Sequence, residues 1–215
     1  MPRPRLPYIK RAPFKKATLF VVICEGQNRE PEYFRFFEEM SSRVKIVPVP
    51  SVDGNSSPIK LIANAVEIEE ELGVSSKDDQ VWFVIDTDRW RTQIHELRNE
   101  CDQHPHWQVA QSNPCFEVWL YYHVKDVLPE LAYMHECNNW KPLLHRTIRN
   151  GIDLKNHPIV IETAIINSKA TCIETGYLPE PGSTQLWRLG EALLPFIQEE
   201  LDEAKGKFTK PELLG

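Results

Sequence analysis

The chain has 215 residues, 41% of them hydrophobic, and a net charge of -6. That length supports one main domain with an appendage, and the acidic balance excludes a protein that coats nucleic acid by bulk electrostatics. Five irregularly spaced cysteines exclude a disulfide framework, and no apolar stretch is long enough to span a bilayer, so a cytoplasmic protein with no membrane contact is expected.

The first sixteen residues carry Arg3, Arg5, Lys10, Arg11, Lys15 and Lys16 and no acid. This basic arm, residues 1–16, suits either a solvated tail or local contact with phosphates or a partner. The following apolar run, Leu19 to Cys24, is too short for a secretory signal core and leads into Glu25-Gly26. It reads instead as a strand buried on both faces. Pro31 suits the opening turn of the next helix, whose apolar side is Tyr33, Phe34, Phe36, Phe37 and Met40. Val44 to Val49 is a second strand, placed at an edge because Pro48 cannot donate a ladder hydrogen bond. Ser57-Pro58 starts a helix with Leu61, Ile62, Ala65, Val66 and Leu72 on its apolar face and Glu67, Glu69, Glu70 and Glu71 in solvent.

Gln80 to Ile85 is the third strand and ends in Asp86-Thr87-Asp88; a helix from about Thr92 to Asp102 returns the chain to a strand at Trp107 to Gln111. Strand and helix thus alternate, which predicts an α/β fold with a mainly parallel sheet and helices on both faces. Beyond Asn113-Pro114 the period becomes helical: Phe116 to His123, about Asn139 to Asn150, Pro158 to Cys172, and Ser183 to Leu201, the last capped by Ser183 or Thr184. The domain reading is therefore an arm over 1–16, an α/β domain over 17–125, and a helical C-terminal region over 126–215 packed on it.

The chemistry concentrates where buried strands end in carboxylates. In open α/β sheets the ligand crevice lies at the carboxyl ends of the strands, so Glu25, Asp86 and Asp88 are expected at one edge. Anionic side chains crowded there repel one another unless some are protonated or a cation sits between them, and oxygen ligands suit Mg²⁺ or Mn²⁺. Asp86 and Asp88, two apart on a strand, point to one face and can share an ion; an aspartate turn is the competing reading. Two-metal chemistry needs more carboxylates, for which Glu30 and Glu117 are the candidates, with Glu32 assigned to the surface. In Gln111-Ser112-Asn113-Pro114-Cys115-Phe116-Glu117, Ser112 or Asn113 is expected to cap a helix whose N-terminus attracts phosphate. Cys101, His104, His106 and Cys115 do not match a familiar zinc spacing, and Cys115 is expected to pack beside Phe116. No glycine-rich phosphate loop appears, which argues against ATP hydrolysis by this chain.

Together these motifs resemble the RloB-like family, whose members resemble Toprim-fold nucleases. The family pattern Glu-Gly-X-X-Thr-Glu-X-X-Tyr-Phe is similar to Glu25-Gly26-Gln27-Asn28-Arg29-Glu30-Pro31-Glu32-Tyr33-Phe34, with Arg29 where the family usually has threonine. Its Asp-X-Asp falls on Asp86-Thr87-Asp88 and its Ser-Asn-Pro-X-Phe-Glu-X-Trp on Ser112 to Trp119, with a weaker match at Asn167-Ser168-Lys169 and Pro181-Gly182-Ser183-Thr184. The resemblance implies a Toprim-like domain using Mg²⁺ or Mn²⁺ to cut phosphodiesters of RNA, tRNA among them, or DNA. Glu25, Asp86, Asp88, Glu117 and Lys169 would be catalytic. Glu25, Glu30, Asp86 and Asp88 would hold metal, and Arg29, Ser112 and Asn113 would contact substrate. It further implies antiphage defence alongside an ABC or AAA ATPase, with a homo-oligomer left open. A binding or regulatory subunit that has kept the fold, favoured by Arg29, and a nucleotide-processing enzyme are the alternatives.

Overall fold

Four short runs pair into one all-parallel sheet in the computed structural model of the chain, which describes residues 17–38, 40–41, 44–49, 57–87, 93–148 and 151–207. They are β1 (Thr18–Cys24), β2 (Val44–Val49), β3 (Gln80–Asp86) and β4 (Trp107–Ser112), in the order β2-β1-β3-β4. The expected α/β class holds, and β2 lies at an edge as Pro48 requires. The basic arm and Asp88 lie outside the described residues.

Period-two alternation splits the central strands between two cores. Phe20, Val22, Cys24, Trp82 and Val84 face one side; Val21, Ile23, Val81, Phe83 and Ile85 face the other. Both faces are buried, which is why these strands read as unbroken apolar runs. Helix α1 (Arg29–Arg35) and the adjoining Phe37 cover the first face through Tyr33, Phe34 and Phe37. Helices α2 (Pro58–Leu72) and α3 (Gln93–Cys101) cover the second with Leu61, Ala65, Ile94 and Leu97. Each such side chain, fully withdrawn from water, contributes about 1.5–3 kcal/mol for the Val, Leu, Ile and Phe class.

The order of strands has a consequence for ligand binding. From β1 the chain passes through α1 to β2 on one side, whereas from β3 it passes through α3 to β4 on the other. The connections therefore diverge between β1 and β3 and leave a crevice at their carboxyl ends.

The C-terminal half fills the first face. It comprises α4 (Glu117–Tyr121), α5 (Leu131–Met134), α6 (Cys137–Thr147), a 3₁₀ turn (His157–Val160), α7 (Ile161–Thr171), strands β5 (Glu174–Thr175) and β6 (Leu178–Pro179), and α8 (Leu186–Lys207). Phe20 of β1 meets Phe196 of α8 edge-to-face at 5.5 Å, so this half shares its core with the sheet. Gly190 lets α7 and α8 approach: a methyl there would lie 2.7 Å from the Ile165 side chain.

Several local expectations are corrected. Val66 is exposed, because the buried stripe of α2 narrows to Leu61 and Ala65. Glu69 is engaged with His106 at 2.5 Å and the Trp107 indole at 2.8 Å instead of facing open solvent. The last helix starts at Leu186, whose N–H donates to the Thr184 hydroxyl at 3.3 Å. Helix α5 and the antiparallel β5–β6 pair are additions to the elements read from sequence. Among the described residues no helix is long and apolar enough to cross a membrane.

Candidate functional site

The register of β1 on β3 pairs Cys24 with Val84, and the Glu25 N–H continues the ladder to the Val84 carbonyl at 3.0 Å. This sets the Glu25 side chain beside the end of β3, where its Oε2 accepts the Asp86 N–H at 2.8 Å. The Glu25 carboxylate therefore lies at the crevice between β1 and β3, against the Asp86 backbone. Asp88 lies outside the described residues.

The residues after Glu25 bring a second carboxylate over the same turn. A Cβ at Gly26 would overlap the Glu30 carboxylate, with its Cδ 2.6 Å away, so glycine here lets Glu30 take this pose. Glu30 is buried in the first turn of α1, and its carboxyl is pushed above its ordinary range, first by desolvation and then by the negative charge of Glu117.

Glu117 enters from the start of α4 and is buried. Its Oε1 accepts a hydrogen bond from Arg29, so Arg29 forms an ion pair with the segment that opens α4. Its Oε2 lies 3.7 Å from Cys137 Sγ at the first position of α6. Cys115 completes this group: its Sγ, Cys137 Sγ and a Glu117 oxygen all lie within 4.8 Å of one another. The Cys115 thiol is held strongly protonated by its hydrogen bond with Cys137, by burial, and by the charges of Glu117 and Asp86. Glu117 thus lies within reach of Glu30, Arg29 and the two thiols.

Cys115 was expected to pack beside Phe116; it also contacts Cys137, a residue the sequence did not single out. The other members of the considered zinc set go elsewhere. His104 stacks on Trp107 at 4.1 Å, His106 bonds Glu69, and Cys101 is buried with α3 in the second core.

Ser112 and Asn113 do not cap α4, which begins at Glu117 with no side-chain cap. The Ser112 hydroxyl pairs with that of Thr184 at 2.8 Å, and the Asn113 amide donates to the Pro179 carbonyl at 2.7 Å. The Asn113–Pro114 peptide is cis. Lys169, on α7, bonds Glu191 at 2.5 Å and lies 4.9 Å from the Trp187 ring, which ties it to α8. Beside the carboxylate edge opens a cleft of about 520 Å³, lined by Thr87, His95, Gln111, Asn113 and His135 among others.

The donors at the crevice are carboxylate oxygens, the chemistry that Mg²⁺ and Mn²⁺ take. A carboxyl raised first by burial and then by a like charge is an electrostatic situation that a divalent cation relieves. The donors suit such an ion in kind, and Glu25 and Asp86 would hold it; among the described residues the group already drawn within 4.8 Å is Cys115, Glu117 and Cys137.

A family model described as RloB-like protein matches residues 20–193. No curated protein and no solved structure matches the chain.

Proposed function

The chain belongs to the RloB-like family, and on that footing we propose that it is a metal-dependent nuclease using Mg²⁺ or Mn²⁺ at the crevice between β1 and β3. The observation that carries this reading is the Glu25 carboxylate seated on the Asp86 N–H at the strand ends, with the Glu30 carboxylate against Gly26. A divalent ion held there supplies charge neutralisation at a phosphodiester and a more acidic water. Glu25 and Asp86 orient the ion. Glu30, its carboxyl raised by burial, is suited to carry a proton to the leaving oxygen. Arg29, half-exposed beside Glu117, is placed to meet a substrate phosphate. The cleft at Thr87 and Gln111 adjoins Asp86 and falls within the size range of small-molecule and cofactor sites, so it offers room for part of a nucleotide chain. Asp88 joins the metal ligands in this proposal. Lys169 is assigned to the contact between α7 and α8. Toprim-like ancestry, a role in antiphage defence and action with an ABC or AAA ATPase rest on the family resemblance.

A second reading has its own observation. The Arg29–Glu117 ion pair supplies from within the protein a cation that a catalytic edge would take from solvent, which suits a binding or regulatory subunit. Purified protein with Mg²⁺ or Mn²⁺, with and without the ATPase, decides between them on a panel of tRNA, other RNA and DNA. Cleavage that disappears in Glu25→Gln supports the nuclease; no degradation under any condition supports the regulatory subunit.

A further inference from the structure

We propose that Cys115, Cys137 and Glu117 bind a soft divalent cation, Zn²⁺ by their chemistry, at a site adjoining the oxygen-lined crevice. The proposal stands on the side chains themselves and is independent of the nuclease reading.

The three residues come from two segments, the turn before α4 with its first residue and the first residue of α6. Their ligand atoms converge within 4.8 Å. A tetrahedral zinc, with Zn–S near 2.3 Å and Zn–O near 2.1 Å, spaces two sulfurs by about 3.8 Å and a sulfur and oxygen by about 3.6 Å. Cys137 Sγ and Glu117 Oε2 stand 3.7 Å apart, so one edge of the tetrahedron is already at coordinating separation. The others need close by no more than about 1.2 Å to reach that geometry. Thiolates select Zn²⁺ over Mg²⁺, which distinguishes this group from the carboxylates at the crevice.

The two oxygens of Glu117 divide their duties. Oε2 faces the Cys137 thiol while Oε1 accepts from Arg29, so ligation and the ion pair coexist. A hydrogen-bonded partner on the distal oxygen is how ligating carboxylates are commonly held in orientation, which makes Arg29 a positioning residue for the ion. Cys115 is fully buried and Cys137 only partly, so the ion enters from the α6 side. Three protein ligands leave a fourth position for water. Such an ion fastens the start of α6 to the segment bearing Glu117 and fixes that carboxylate beside Arg29 and Glu30.

The test is a Co²⁺ titration of the reduced, chelator-stripped full chain, followed by displacement with Zn²⁺. The expected result is a thiolate-to-cobalt absorption band that saturates at one ion per chain, whatever the crevice carboxylates take up, and a loss of that site's affinity by at least about tenfold in Cys137→Ser, given what even outer partners contribute. Cys115→Ser should behave alike. Should its burial prevent folding, Cys137→Ser decides the matter, because that side chain is only partly buried. Cys172→Ser, whose thiol faces Glu174, should bind as the parent does. A cobalt spectrum without the thiolate band, or one unchanged in Cys137→Ser, would overturn the proposal.

Discussion

Removing the Arg29 guanidinium tests whether this arginine stabilises the buried Glu117 carboxylate. The Glu117 side chain is 6% exposed and that of Arg29 is 40% exposed. Breaking a fully buried pair costs about 3–5 kcal/mol, whereas an exposed pair is worth about 0–1 kcal/mol. Here water reaches the guanidinium but scarcely the carboxylate, so the loss should be near one charge-assisted hydrogen bond, about 2 kcal/mol. For a chain of this size that is a fall in Tm of roughly 4–8 °C. Glu117→Gln removes the charge that Arg29 answers and also the like charge acting on Glu30. In that background Arg29→Ala should cost less than about 0.5 kcal/mol, giving a coupling of about 1.5 kcal/mol. Urea denaturation of the parent, the two single variants and the double variant measures it, provided the m-value stays constant. Single losses that add to the double loss would refute the buried ion pair as a stabilising contact.

Three further outcomes follow from particular side chains. Glu30 has its pKa raised in the folded protein, so its contribution is fully present below the ordinary value of 4.5 and is lost as pH rises through the higher folded value. Glu30→Gln should therefore gain in Tm relative to the parent as pH climbs through that interval, a difference that thermal melts in a pH series would record and that saturating Mg²⁺ should shrink. Gly26→Ala places a methyl in the space of the Glu30 carboxylate; because the obstructing atoms end a side chain, Mn²⁺ affinity by calorimetry should fall while Tm changes little, and unchanged affinity would contradict the arrangement. Burial holds His123 neutral, down to about 3, with the Tyr33 hydroxyl 3.1 Å from its Nε2. Its contribution is complete above the ordinary value of 6.5 and is lost as pH falls towards 3, so His123→Gln should flatten the acid limb of the stability curve. Tyr33→Phe leaves Nε2 without its donor and should cost about 1–3 kcal/mol.

The sheet was readable because burial on both faces leaves no polar residue inside Leu19 to Cys24 or Val81 to Ile85. Pro48 also marked β2 as an edge strand. The ends of these strands located Glu25 and Asp86 at one crevice, but their contact depends on the register of Cys24 on Val84, which periodicity does not encode. Glu30 was visible only as an acid in a first turn; its burial against Gly26 is a tertiary outcome. Cys137 carried no signal at all, since α6 meets α4 through packing and not through a fixed spacing. Ser112 and Asn113 misled as caps because their partners, Thr184 and Pro179, come from a segment far along the chain. Strands β5 and β6 are two residues each, too short for any period to appear.

The central claim is that Glu25 and Asp86 together hold a catalytic divalent ion. Its most direct measurement is cleavage of labelled tRNA, other RNA and DNA in Mg²⁺ or Mn²⁺ by the parent and by Asp86→Asn, each checked for an intact fold and for Mn²⁺ binding by calorimetry. Cleavage by the parent alone is expected, with bound Mn²⁺ lost or much weakened in Asp86→Asn. Equal cleavage by both proteins, or Mn²⁺ affinity indifferent to Asp86, would contradict it.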